Sequence, residues 1–164
     1  MDDRLRYLAS HIRLVLTDVD GVLTDGGVYY GPEGEVMKRF SIRDGMGVER
    51  LRAVGVDVGI VTGENSPSVV RRAEKLNISL IVLGCKDKSA KLDEIMEEHG
   101  YGEEEIAYIG DDVNDLEVMK RVGLPATPAD GLPQILEIAA YICTKPGGYG
   151  AFREFVEMVI EAKS

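Results

Sequence analysis

The chain has no tryptophan and only two cysteines, Cys85 and Cys143, among its 164 residues. Neither cysteine belongs to a CxxC pair or a Cys/His cluster. The spacing therefore offers no zinc site and no disulfide framework, and both read as small apolar core residues. No apolar run approaches the roughly 18 residues needed to cross a bilayer. The opening Met1-Asp2-Asp3-Arg4 lacks the basic-then-apolar order of a signal peptide, so a cytoplasmic location is expected. Basic charge is also scarce, with 19 Lys and Arg against 29 Asp and Glu and a net charge of -10. That balance does not supply the basic surface that nucleic acid or an anionic membrane requires. A small anionic substrate stays compatible, because a cation and a few local Lys or Arg reverse the potential inside one cleft. No repeat, low-complexity tract or linker divides the chain, and residues 1–164 read as a single domain.

What is present is an alternation of strand and helix patterns. Residues 13–18, 56–62, 79–84 and 105–110 are short apolar runs that suit strands buried on both faces of a parallel sheet. Helix signals lie between them. Asp44 is positioned to cap a helix reaching about Val54, with Gly55 ending it. Ser66-Pro67 opens a helix to about Leu76, and Asp87 opens one that stops near Gly100. A further helix is expected from Val113 to Val122, closed by Gly123. Residues 151–161 form an amphipathic helix with Phe152, Phe155, Val156 and Val159 on one face. Residues 26–41 break the alternation. Their Gly31-Pro32-Glu33-Gly34 turn between two β-prone runs predicts a β-hairpin. The expected fold is a doubly wound, Rossmann-like α/β domain with a hairpin insertion after the first strand, at the sheet end where ligands bind.

Four short motifs carry chemistry, each at or just after a predicted strand end. Asp18 and Asp20, in DVDGVLTD, put two carboxylates where a strand ends and Gly21 turns the chain. Carboxylate and carbonyl oxygens are what a hard cation such as Mg²⁺ prefers. Thr62-Gly63-Glu64 follows the next strand, where a hydroxyl and backbone N–H groups make an anion cradle. Lys88 begins a helix. Asp111, Asp112 and Asp115, in GDDVND, crowd three carboxylates into five residues, a repulsive cluster unless a cation sits among them.

In this order the motifs resemble those of the haloacid dehalogenase superfamily of phosphotransferases, and the match runs along essentially the whole chain. The resemblance implies a Mg²⁺-dependent phosphatase acting through a phosphoryl-aspartate. Asp18 would be the nucleophile, and Asp20 the acid and then the base. Thr62 and Lys88 would hold the phosphoryl oxygens. Asp18, the Asp20 carbonyl and Asp111 would bind Mg²⁺, with Asp112 and Asp115 behind them holding metal-bound water or orienting Lys88. There is no room for a cap domain.

The TDVDGVLTDG stretch, the glycine-flanked hairpin, the Phe40 to Gly47 segment and KPGGYGAFREF are similar to the capless phosphatases of 3-deoxy-2-ulosonate phosphates. That group forms ring-shaped tetramers around its hairpins, which would bury Val28, Tyr29, Tyr30 and Val36. It also implies that the glycine-rich residues 145–150 reach a neighbouring active site. Substrate contacts are expected from Thr62, Gly63, Glu64, Arg72, Lys75, Lys88, Arg43 and Asp44. Glu64 stands where 3-deoxy-D-manno-octulosonate 8-phosphate phosphatases often carry arginine. It turns the expectation toward a nine-carbon substrate such as 2-keto-3-deoxynononate 9-phosphate, with the octulosonate 8-phosphate as the alternative. A non-catalytic reading, as a phospho-accepting signalling domain or an assembly module, is disfavoured by Asp20. A domain that profits from a long-lived phosphoryl group has no use for a second acid two residues away.

Overall fold

The computed structural model describes residues 1–164. Its main sheet has six parallel strands: β1 (Leu14–Thr17), β4 (Asp57–Val61), β5 (Leu80–Val82), β6 (Ile106–Ile109), β7 (Leu124–Thr127) and β8 (Tyr141–Ile142). Their order is β5-β4-β1-β6-β7-β8. β2 (Tyr29–Gly31) and β3 (Gly34–Met37) form the separate antiparallel hairpin. From β1 the chain winds outward through β4 to β5, then returns across the sheet to β6 on the other side of β1. The reversal opens a crevice at the carboxyl ends of β1 and β6.

The strands are buried on both faces, and each face has its own apolar layer. On one side Val15, Ile60, Ala107 and Ile109 pack with α1 (Asp3–Ser10), α2 (Ile42–Ala53), α3 (Pro67–Lys75) and α7 (Ala151–Lys163). On the other side Leu14, Leu16, Ile106 and Tyr108 meet α4 (Lys88–His99), α5 (Leu116–Met119) and α6 (Pro133–Ile138). Phe152, Phe155, Val156 and Val159 of α7 are all fully buried, as the amphipathic pattern predicts. Helix α2 lies close against α7 because Gly47 offers no side chain: a methyl there would sit 3.3 Å from both Phe152 and Val156.

The structure revises several local expectations. Ser41, not Asp44, caps α2, accepting from the Asp44 N–H at 3.3 Å. Asp44 lies in the first turn, buried, where its carboxylate accepts from Arg153 N at 2.9 Å and Gly150 N at 3.3 Å at the start of α7. The Val113–Val122 helix is instead a 3₁₀ turn at Val113–Asp115 followed by the single-turn α5. Strands β7 and β8 and helices α1 and α6 add to the elements expected from the sequence. Pro125 inside β7 argues against a strand, and β8 has only two residues. Helix α1 is capped by Asp2, whose carboxylate accepts from Leu5 N at 2.7 Å.

Removing the Phe152 ring leaves a void between α2 and α7. Phe152→Ala is expected to lower the unfolding free energy by about 3–5 kcal/mol, measured by urea denaturation. A loss below ~1 kcal/mol would show that this contact does not hold the two helices together.

Candidate active site

Asp18 extends β1 by one residue, its N–H bonding the Ile109 carbonyl at 3.0 Å. This backbone tie aims the side chain into the crevice between β1 and β6. Asp18 is only 4% exposed. One of its oxygens accepts from Val19 N at 2.7 Å, and the other lies 3.2 Å from the Lys88 ammonium. Lys88 reaches in from the start of α4, whose cap Asp87 fixes the helix by accepting from Ala90 N at 2.9 Å. The same ammonium donates to Asp115 at 2.6 Å and to the Tyr108 hydroxyl at 3.0 Å.

Asp115 is completely buried, and its carboxylate is saturated. One oxygen takes Lys88 and the Tyr108 hydroxyl, the latter at 2.7 Å; the other takes the N–H groups of Asp111 at 3.0 Å and Asp112 at 3.4 Å. Asp115 therefore braces Lys88 and shapes the loop after β6. Asp112 does not orient Lys88: it is exposed and caps the 3₁₀ turn, accepting from Val113 N at 2.6 Å.

Asp111 differs from its neighbours. Its Oδ1 is buried and has no hydrogen-bond partner. Burial first, then the charges of Asp115 and Asp112, push its carboxyl up to about 7. Burial and Asp115 likewise push Asp18 well above the usual carboxylate range, against the pull of Lys88. Burial would lower the Lys88 ammonium, yet Asp18 and Asp115 hold it above its ordinary value. Ligand atoms of Asp18, Asp111 and Asp115 lie within 4.8 Å of one another. Three carboxylates against one ammonium leave two negative charges, the complement of one divalent cation. The unpaired oxygen, the all-oxygen donor set and the charge balance fit Mg²⁺. Asp18 and Asp111 have oxygens to offer it, whereas those of Asp115 are already taken.

The first motif must pass Asp111 at close range. Gly21 has φ +85°, and a Cβ there would lie 1.9 Å from Asp111 Oδ2. The glycine-rich tail packs on the other side of the same loop, within its own chain. Gly148 N bonds Val22 O at 2.9 Å, and a Cβ on Gly147 would meet Gly21 O at 1.8 Å. Within this subunit the tail buttresses its own active-site loop.

Thr62 follows β4 directly and is buried, its hydroxyl accepting from Glu64 N at 3.4 Å. Gly63 approaches Asn114: a Cβ there would lie 3.8 Å from the Asn114 amide nitrogen. Glu64 and Lys75 are exposed. Lys75 lines an open, basic groove of about 480 Å³ with Lys38, Phe40, Arg71 and Arg72. Arg72 is partly committed, donating to Ser41 O at 2.9 Å and lying over the Phe40 ring. Arg43 and Asp44 are not gathered at the acidic cluster. Asp44 is the buried tie to α7, and Arg43 lines a separate surface pocket with Arg39, Lys145, Tyr149 and Arg153.

Two further residues join the site through the fold. Tyr108 looks like one more apolar residue of β6, though a tyrosine in a core strand signals a hydroxyl seeking a partner. Lys38, just past β3, contacts both oxygens of Asp20, at 2.8 and 2.9 Å. Nothing in the local pattern marks it.

Gly21→Ala is expected to weaken Mg²⁺ binding at least ~10-fold, since a strained φ and a clash with a ligand residue fall at one position. Calorimetric titration of the folded variant checks this, and unchanged affinity would remove Asp111 from the cation site.

Comparison with known proteins gives one consistent family. A family model for haloacid dehalogenase-like hydrolases matches residues 35–123. The 3-deoxy-D-manno-octulosonate 8-phosphate phosphatase KdsC of Yersinia pestis is 39% identical over 94% of this chain and 83% of its own length. The Haemophilus influenzae protein of the same name is 37% identical over 94% of this chain and 86% of its own. The crystal structure of the Moraxella catarrhalis 3-deoxy-D-manno-octulosonate 8-phosphate phosphatase, in complex with magnesium, phosphate and KDO, superposes with a TM-score of 0.96. It shares 37% identity, covering 99% of this chain and 94% of that one. With its six-stranded parallel sheet, its hairpin in place of a cap and its acidic cluster at the sheet crevice, the chain belongs to the haloacid dehalogenase-like hydrolases and is a phosphoric monoester hydrolase.

Proposed function

We propose that this phosphatase hydrolyses 3-deoxy-D-manno-octulosonate 8-phosphate. The reading rests on relatives of that activity that align with nearly the whole chain, together with one geometric observation: the Asp18 carboxylate faces Lys88 at 3.2 Å inside the crevice. The eight-carbon substrate thereby displaces the nine-carbon one expected from Glu64. A second reading, a nine-carbon ulosonate 9-phosphate, keeps one specific support: Glu64 is exposed just past Thr62, and Arg72 and Lys75 follow on the same helix.

An Asp18 oxygen attacks phosphorus as the bond to the sugar oxygen breaks. Asp20 gives its proton to the departing oxygen, then takes one from the water that attacks the phosphoryl-aspartate, and phosphate leaves with the Asp18 carboxylate restored. Lys88 and Thr62 hold phosphoryl oxygens and keep the group in line. Asp18, Asp111 and the Asp20 carbonyl would hold Mg²⁺, which would supply the charge neutralisation that lets one anion approach another. Arg71, Arg72 and Lys75, which line the open groove, offer a counter-charge to the sugar carboxylate on a chain that is otherwise acidic.

The hairpin supports a homotetramer. Tyr29, Tyr30, Val36 and Met37 are 65%, 74%, 58% and 54% exposed, a large apolar area for a two-stranded element to leave in water. No helix is long and apolar enough to cross a membrane.

Phosphate release from octulosonate 8-phosphate, 2-keto-3-deoxynononate 9-phosphate, N-acetylneuraminate 9-phosphate and hexose 6-phosphates, with Mg²⁺ or EDTA, decides the substrate. The octulosonate is expected to give the highest kcat/KM, and EDTA to abolish release. A higher value for a nine-carbon substrate selects the second reading. Asp18→Asn should lose roughly 10⁴-fold or more in kcat, as removal of a covalent nucleophile does; activity within ~10-fold of wild type would exclude Asp18 as nucleophile. Tyr30→Asp combined with Val36→Asp should lower the mass seen by light scattering from four chains to fewer. A persisting tetramer would move the interface off the hairpin.

A further inference from the structure

We infer that Lys38 is the positioning residue of the acid–base Asp20, so that the hairpin supplies part of the proton-transfer machinery. The inference rests on the proposed role of Asp20. Lys38 contacts both Asp20 oxygens, at 2.8 and 2.9 Å, and no other donor in the chain reaches that carboxylate. The Lys38 side chain is only 1% exposed. Its second carboxylate neighbour is Glu35 of β3, at 4.0 Å. Glu35 in turn accepts from the Ser66 hydroxyl at 2.7 Å, and Ser66 also caps α3.

A continuous polar chain, Asp20–Lys38–Glu35–Ser66, thus joins the loop after β1 to the loop after β4 by way of the hairpin. Asp20 follows the nucleophile by two residues, and Ser66 follows Thr62 by four. The acid and the phosphate-holding turn are cross-braced by residues distant from both in sequence. Burying an ammonium is costly, and a hairpin that served only as an interface would not need one facing inward. An aspartate held by nothing else would rotate about its side-chain bonds, and proton transfer is sensitive to such misplacement.

The proton balance is compatible with the contact. When Asp20 carries its proton, that oxygen faces the departing sugar oxygen and Lys38 keeps the other. When the proton has left, both oxygens return to the ammonium until water is activated.

The test uses the dependence on leaving group in the full-length enzyme. A sugar alkoxide needs a proton to depart, whereas p-nitrophenolate does not. Lys38→Met should lower kcat for octulosonate 8-phosphate, or for the best alkyl phosphomonoester, by ~10²–10⁴-fold, the range of acid–base contributions. The stopped-flow burst of p-nitrophenolate from p-nitrophenyl phosphate should change less than ~3-fold. Lys38→Arg should recover the alkyl rate to within ~10-fold of wild type. Asp20→Asn should show the same selective loss, and adding Lys38→Met to it should cost no more than ~2-fold further. Equal losses with both substrates, an unchanged alkyl rate, or additive losses in the double variant would overturn the role of Lys38. If Asp20→Asn itself loses both activities equally, the assignment of Asp20 fails first, a result distinct from failure of Lys38 alone. Should Lys38→Met not fold by circular dichroism, Lys38→Gln is judged by the same ratio of losses.

Discussion

The buried ion cluster around Lys88 is the constraint on which the rest of the site depends. An ammonium and two carboxylates, none more than a few percent exposed, sit at the bottom of the sheet crevice. Burying such charges costs several kcal/mol per ion unless partners and hydrogen bonds compensate. Here the compensation comes from two strands and one helix: Asp18 after β1, Tyr108 in β6, Asp115 after β6 and Lys88 at the start of α4. None of these partners can shift without leaving another unpaired. The result is a rigid anionic floor with one oxygen, on Asp111, left without a partner. A site meant to bind a divalent cation and a phosphoryl group needs both properties.

The loop carrying Asp18 and Asp20 is held from above and below by backbone contact. Gly21 lets it pass against Asp111, and Gly147 and Gly148 let the tail lie against its other side. Glycine recurs at these points because three chain segments meet with no space for side chains. The tail thereby connects the active-site loop to α7, and Asp44 connects α7 to α2. Core packing and catalytic geometry are coupled through this short path.

Charge is divided by location. The chain is strongly acidic as a whole, its crevice holds an excess of negative charge, and a groove lined by Arg71, Arg72 and Lys75 lies beside it. Such a division favours a substrate with an anion at each end, one met by a metal ion and one by basic side chains.

The sequence by itself determined the alternation, four of the six parallel strands, the hairpin turn and the acids of the crevice. Each of these is a local pattern: an apolar run, a capping residue, a glycine–proline turn, carboxylates at a strand end. It also determined that α7 would be buried along the face of Phe152 and Phe155. What it left open has a common physical cause. Strand β7 carries Pro125 and β8 has only two residues, and only pairing, β7 with β6 and β8 with β7, makes them strands. Asp44 has the residue type of a cap or a ligand, and only the arrival of α7 makes it a buried acceptor. Arg72 reads as a free cation until Phe40 and Ser41 fold beneath it. Lys38 carries no local signal and Tyr108 only that of a hydroxyl in a core strand, because their partners lie 18 and 7 residues away along the chain. Side-chain identity set which chemistry was available; the long-range contacts of the fold decided which groups are free to perform it.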